Sequence, residues 1–241
     1  MKQLNNTPQH VAIIMDGNRR WARKKNLPVL GGHQYALDHT VEELVETAGG
    51  LGIKYITFWA WSTENWGRNQ KEVSGIMKLL LYAIKSKVEK FNKKGARLKV
   101  IGDISKFSDS IQKGIHESIE KTNQNDKITV IFALNYGGRD EILRAIKKLN
   151  AKTPSRWPNG LLEGGGSITE QMFSQLLDTS DIPDPDMIIR TGGEKRLSGF
   201  MLWQSEYSEL YFTDVLFPDF KKKELKKAVE WFSQRNRRFG K

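Results

Sequence analysis

The chain has 241 residues, 38% of them hydrophobic and 28% charged, a globular composition that excludes collagen, coiled coil and wholesale disorder. It has no cysteine, which excludes disulfide scaffolds, zinc–thiolate sites, iron–sulfur clusters and thiol nucleophiles. Thirty-nine Lys and Arg against 28 Asp and Glu give a formal charge of +11, suited to a polyanion: nucleic acid, an anionic leaflet or a phosphorylated small molecule.

In chain order, short apolar runs alternate with helical patterns. VAIIM at 11–15 reads as a buried strand. His33 falls at the start of a helix, and Val41, Leu44, Val45 and Ala48 keep helical spacing until Gly49 and Gly50. YITFWAW at 55–61 is a second strand. Val73, Ile76, Met77, Leu80, Ile84, Val88 and Phe91 then share one face of a long amphipathic helix that Gly95 ends. Further strands are expected at 98–101, 128–134, 187–189 and 210–213, and helices at 108–123, 139–149, 169–177 and 221–236. The stretch 151–167, with Pro154, Pro158 and three consecutive glycines, reads as a surface loop. This alternation predicts an α/β chain, one domain over 1–241, with a mostly parallel central sheet of about six strands flanked by helices. No apolar run is long enough to span a bilayer, and the N-terminus has no signal-peptide core, so the cytoplasm is the expected location.

Open parallel sheets bind ligands outside the carboxyl ends of their strands. The first strand is followed by Asp16, Gly17, Asn18, Arg19, Arg20 and Trp21. The second is followed by Ser62, Thr63, Glu64, Asn65, Trp66, Gly67 and Arg68. Asn135, Tyr136, Gly137, Gly138 and Arg139 follow the fourth, and Arg190, Gly192, Gly193, Arg196 and Ser198 come at the end of the fifth. Arginine forks and glycine-bared backbone N–H groups are what a phosphate needs. A lone carboxylate among them suits a Mg²⁺ shared with substrate phosphates. Singly, each feature has a plainer explanation. Asp16-Gly17 ends a strand, the glycine pairs make turns, His33 caps a helix, and Trp59, Trp61 and Trp66 pack a core. Convergence of four strand ends favours the functional explanation. No GxxxxGK[ST] loop and no GxGxxG fingerprint is present.

HVAIIMDGNRRWA at 10–22, Gly32-His33, WAWSTENWGR at 59–68, NYGGR at 135–139 and RTGGEKRLSGFMLWQSEYSELYFTD at 190–214 together resemble the cis-prenyltransferase family, the family of undecaprenyl diphosphate synthase. The resemblance implies a homodimeric, Mg²⁺-dependent enzyme that extends an allylic prenyl diphosphate with isopentenyl diphosphate, making each new double bond cis. It also implies an apolar tunnel between sheet and helices for the product, with peripheral contact at the inner face of the membrane for product release. Asp16 and Asn65 would be catalytic, with Asp16 and Glu209 at the metal. Gly17, Asn18, Arg19, Arg20 and Trp21 would hold the allylic diphosphate. His33, Ser62, Thr63, Glu64, Trp66 and Arg68 would line the reacting region. Arg190, Arg196 and Ser198 would bind isopentenyl diphosphate, and Gly240, in Arg238-Phe239-Gly240, would reach the neighbouring subunit's site. Ala60 would lie where the growing tail passes.

The chain departs from the family at two points. It reads Asn18-Arg19-Arg20-Trp21 where many members read NGRW, and it has Val29 where many carry an arginine four residues before the histidine. Two other classes compete. A non-catalytic partner subunit tends to lose the early aspartate and arginines, but Asp16, Arg20 and Asn65 are all present. An RNA-binding module is suggested by the charge and the tryptophans, yet the RNP pattern and every zinc spacing are missing, so no nucleic-acid partner is expected.

Overall fold

Val11 to Ile14 are apolar without a break and are buried on both sides, the environment of an inner parallel strand. The structure, a computed structural model, describes residues 6–152 and 168–236. Six strands form one sheet: β1 (His10–Ile14), β2 (Tyr55–Ser62), β3 (Ala96–Ile101), β4 (Ile128–Tyr136), β5 (Met187–Arg190) and β6 (Glu209–Phe212). Their order is β3-β4-β2-β1-β5-β6 and every pairing is parallel. The helices are α1 (Asn18–Lys24), α2 (Val29–Tyr35), α3 (Val41–Gly50), α4 (Gln70–Lys93), α5 (Asp109–Thr122), α6 (Gly138–Lys152), α7 (Glu170–Ser174) and α8 (Lys222–Ser233).

Alternate residues of β1 feed two cores. Val11 and Ile13 pack with Leu44 and Val45 of α3 and with Leu225, Val229 and Phe232 of α8. Ala12 and Ile14 pack with Phe200 and Met201 on the other face. From β1 the chain moves to β2 on one side, and later returns across the sheet to β5 on the other. The switch point therefore lies between the carboxyl ends of β1 and β5, where such sheets open a crevice.

The observed strands match the expected ones to within two residues at most ends, and α4 extends the expected helix at both ends. Three differences bear on the site. The segment after β1 is not a loop, because Asn18 already begins α1. His33 lies inside α2 rather than at a helix start, and a π-helical turn, Ala36–Thr40, joins α2 to α3. The tryptophans do not form one cluster, since a bulge interrupts β2 at Ala60: Trp59 pairs with Ala133 and Trp61 with Leu134. One extra residue reverses the alternation beyond it. Trp59 thus stacks on Phe200 on one face at 4.9 Å, while Trp61 meets Trp66 edge-on at 5.4 Å on the other. No helix among the described residues is long and apolar enough to cross a membrane.

Candidate active site

The β1–α1 turn sets the centre. Gly17, at φ 107°, takes the left-handed conformation that lets the chain turn straight into α1. The first N–H groups of a helix have no intrahelical acceptor, and no side chain caps them here. Arg20, one turn on, donates to Asp16 Oδ1 at 3.2 Å, and Arg190 at the end of β5 donates to Oδ2 at 3.1 Å. Thr191 Oγ1 donates to the Asp16 carbonyl at 2.7 Å and locks the two strand ends together. Gly192 sits at φ 84°, a conformation that favours glycine, and a Cβ there would crowd the Asp16 backbone at 3.2 Å.

Arg190 is nearly buried, donating to Ser198 Oγ at 2.9 Å and to the Arg196 carbonyl, while its Nε has no partner. The Arg196 side chain is exposed and pairs with Glu194 at 2.6 Å. The glycines do not cradle an anion with their amides. Gly192 N–H donates to the Val215 carbonyl, Gly193 N–H to Thr213 and Gly138 N–H to Gly199, so these groups are consumed by the backbone. Anion binding at those strand ends falls to side chains.

The end of β2 supplies a second group. Ser62 and Asn65 form a reciprocal cap of the 3₁₀ turn Thr63–Gly67, with Ser62 N–H donating to Asn65 Oδ1 at 3.2 Å. This leaves Glu64 exposed. Thr63 Oγ1 sits where a Cβ of Gly137 would fall, at 2.6 Å. Trp66 donates to Asn135 Oδ1 at 2.7 Å, and Asn135 in turn donates to the Asp103 carbonyl. The end of β4 is thereby a buttress for Trp66. Arg68 lies over the Trp61 ring and pairs with Glu72 at 2.9 Å; Glu72 also faces Arg19 at 3.8 Å. His33 stands among these charges with an unpartnered, buried Nε2. Burial, reinforced by Arg68, pushes its pKa down to about 4, so the imidazole is neutral at pH 7. Asn18 donates to the Met15 carbonyl, and its buried Oδ1 is unpartnered. Trp21 donates to Asp219 at 2.9 Å and packs on Tyr35, a structural role.

Met15, Asn18 and His33 line the mouth of an apolar cavity of about 180 Å³ that runs under α4 against β2, β3 and β4. Ala60 and Trp61 both face it because of the bulge, together with Ile76, Leu80, Ile84, Val88 and Phe91 of α4. One face of the expected amphipathic helix is thus the cavity wall.

Not every expected residue gathers here. Glu209 opens β6 beside Met187, at the opposite end of the sheet from Asp16, and pairs with Arg235 at 3.1 Å. Gly240 and its tail lie outside the described residues, as do positions 153–167 of the loop expected at 151–167, whose first two residues instead close α6. Sequence reasoning missed Glu72, and it placed Thr191 on the rim after the fifth strand without giving it a role. The four-residue step from Arg68 to Glu72 on a helix start was a readable signal, but Thr191 carries none, since its role depends on a neighbour 175 positions away.

The family model described as "Putative undecaprenyl diphosphate synthase" matches residues 14–240. An isoprenyl transferase of Ralstonia nicotianae is 47% identical over 234 residues, covering 97% of this chain and 88% of its own. The chain belongs to the undecaprenyl diphosphate synthase family. An isoprenyl transferase of this family from Aquifex pyrophilus is 45% identical over 233 residues, covering 97% of this chain and 96% of its own. Among solved structures, lavandulyl diphosphate synthase from Lavandula x intermedia in complex with dimethylallyl diphosphate superposes with a TM-score of 0.89 at 36% identity, over 98% of this chain and 99% of that one. A probable undecaprenyl diphosphate synthase from Campylobacter jejuni gives 0.79 at 36% identity, over 98% and 100%. Family membership makes the chain a prenyl transferase, with the six-stranded fold of its structural relatives.

Proposed function

We propose that the chain condenses isopentenyl diphosphate onto an allylic prenyl diphosphate, yielding a longer cis-polyprenyl diphosphate. The observation that carries this is the join between a cationic rim, Arg20 and Arg190 on Asp16 and Arg19 and Arg68 on Glu72, and an apolar cavity lined by Asn18 and His33. A charged head and a hydrocarbon tail find complementary surroundings within one crevice.

In the reaction the allylic C–O bond breaks, its diphosphate departs with the bonding electrons, the isopentenyl double bond attacks the allylic carbon, and a proton is lost. Arg20, held on Asp16, would meet the charge that develops on the departing allylic diphosphate, and Arg190, on the same carboxylate, would hold the isopentenyl diphosphate beside it; one such preorganised donor is typically worth ~10²–10³ in rate. The neutral His33 adds no charge to the cavity mouth, so a developing allylic cation meets no imidazolium there. Asn65, held by its cap, keeps the Ser62–Arg68 turn in place at the reacting region.

A single carboxylate beside several arginines fits a Mg²⁺ that takes most of its ligands from substrate phosphates and water, and no three acidic or imidazole groups among the described residues are placed to hold a metal ion by themselves. Asp16 would hold the ion, which when bound neutralises diphosphate charge. Leu143, Ile146, Leu202, Tyr207 and Leu210 are exposed, an apolar set suited to a homodimer contact. In a dimer built on that face, Glu209, adjacent to Leu210, and the tail carrying Gly240 would serve the neighbour's site. The net charge of +11 suits peripheral contact with the inner, anionic membrane face during product release. RNA binding is disfavoured because Trp61 is buried and Trp59 is stacked inside the fold, so neither offers a platform for a base.

The test is incubation of purified protein with a short allylic diphosphate, Mg²⁺ and radiolabelled isopentenyl diphosphate. Label should pass into a butanol-extractable product whose dephosphorylated form gives discrete chromatographic peaks. Absence of extractable label from folded protein at saturating substrates rejects the reading.

A further inference from the structure

A row of charge runs beside the cavity and meets it at Lys87. Asp38, Glu42 and Glu46, four residues apart, present three carboxylates along one face of the π-helical turn and α3. Opposite them stand Lys87 and Lys90 on α4 and Lys94 at its C-cap, also on one face. Asp38 pairs with Lys87 at 2.6 Å, Glu42 with Lys90 at 3.6 Å and with Lys94, and Glu46 with Lys94. Asp38 further accepts from Gln34 Nε2 at 2.6 Å and Tyr82 Oη at 3.2 Å. Every acid of the row is on one helix and every base on the other. Below the charged row, Val88 and Phe91 of α4 share an apolar cluster with Val41, Leu44 and Val45 of α3.

Of the six charged residues Lys87 lines the cavity, together with Leu37 and Val41 from one side and Leu80, Ala83 and Ile84 from the other. Lys87 is almost buried, carrying its ammonium out of the apolar space to Asp38. The hydrogen bond from Lys94 holds the Glu42 carboxyl below its ordinary value, so Glu42 stays charged at neutral pH.

We propose that this seam of acid–base pairs is a side gate of the cavity and determines product length. The inference rests on the prenyl-transfer reading. While the pairs hold, the hydrocarbon tail fills a closed space and growth stops when that space is full. When they part, the slit between α3 and α4 opens and the tail protrudes. Partly exposed pairs suit this role, because they are individually weak and screened by salt, and opening them breaks no backbone hydrogen bond. None of the six residues touches the Asp16 rim, so the gate governs where the tail ends rather than how the diphosphates react.

The test reverses one side of the seam and then both. Glu42→Lys with Glu46→Lys faces cations with cations. Adding Lys90→Glu and Lys94→Glu restores opposite charges in swapped order. Product length is read by reverse-phase chromatography after dephosphorylation. Cavity opening is read separately, without substrate, by fluorescence of the neutral apolar dye Nile red. The double variant should shift its main product at least one isoprene unit longer and enhance Nile red emission, with first condensation retained; the quadruple variant should return both to wild type. An unchanged product spectrum in the folded double variant overturns the gate, and so does a shift that persists in the quadruple variant. Should the double variant fail to fold by circular dichroism, Glu42→Gln with Glu46→Gln carries the same test, and unchanged length there overturns it as well. A wild type that transfers no prenyl group rejects the functional reading itself, a result distinct from active variants of unaltered length.

Discussion

Asp16 is held from both sides, by Arg20 on its own helix and by Arg190 from the far strand, yet about a third of its side chain remains exposed. That combination separates its catalytic from its structural weight. In Asp16→Ala, Arg190 keeps Ser198 and the Arg196 carbonyl as acceptors, so the loss of stability should be about 1 kcal/mol, as for a partly exposed pair. Turnover should fall at least ~10²-fold, the scale of one lost electrostatic contact at a reacting centre. Steady-state assays at saturating Mg²⁺ with parallel thermal melts decide it, and near-wild-type turnover removes Asp16 from the mechanism. Asp16, Arg20 and Arg190 were legible because each stands at the end of an apolar run. The part played by the paired glycines was not. Composition shows that they bare backbone N–H groups, but only the fold shows that Val215, Thr213 and Gly199 already accept from them.

At the scale of elements, the bulge in β2 decides what the cavity sees. In a regular strand Trp61 would share a face with Trp59; the inserted Ala60 turns both Ala60 and Trp61 toward α4. Ala60→Leu adds three carbons to a cavity of about 180 Å³. The product should shorten by one or more isoprene units while first condensation continues, as liquid chromatography of dephosphorylated products would show. An unchanged spectrum from the folded, active variant places Ala60 away from the tail. α4 was readable over most of its length, since its apolar period of 3.6 persists from Val73 to Phe91. The bulge was not, because periodicity of two and an insertion within it look alike over so short a run. Nor was α2, a two-turn helix containing Gly31 and Gly32 that propensity disfavours. Gly32 is there for packing: its Cβ would fall 2.0 Å from the Asn18 carbonyl oxygen.

For the whole molecule, the end of the sheet opposite the site carries its own titratable group. His10 opens β1 fully buried, with Nδ1 2.6 Å from the Pro183 carbonyl and Nε2 2.7 Å from Thr57 Oγ1. The carbonyl can only accept, so Nδ1 carries the proton and Nε2 accepts from the hydroxyl. Burial pushes its pKa from 6.5 down to about 4. The unfolded chain therefore binds more protons between those values, and stability falls as pH drops from about 6.5 toward 4, being fully present above that window. The contribution is on the order of 3 kcal/mol. Urea unfolding at pH 7.5 and pH 5 should show a lower midpoint at pH 5, with the dependence flattened in His10→Gln; equal slopes in both proteins assign the acid sensitivity elsewhere. The α/β layering and the parallel sheet were predictable from alternation alone. The strand order was not, because the return from β4 across to β5 leaves no local mark.

That return has a kinetic consequence. β1 and β5 pair across most of the chain, and the Asp16–Arg190 contact spans 174 positions. Contacts of such sequence separation are slow to form and come late. A nascent chain that has emitted β1 to β4 carries every residue of the cavity lining except Phe217, but its Asp16 has Arg20 alone and no Arg190. It can therefore close on an apolar tail before it can grip a diphosphate. The catalytic centre is completed only when the last third of the chain arrives, so substrate chemistry begins no earlier than the finished sheet.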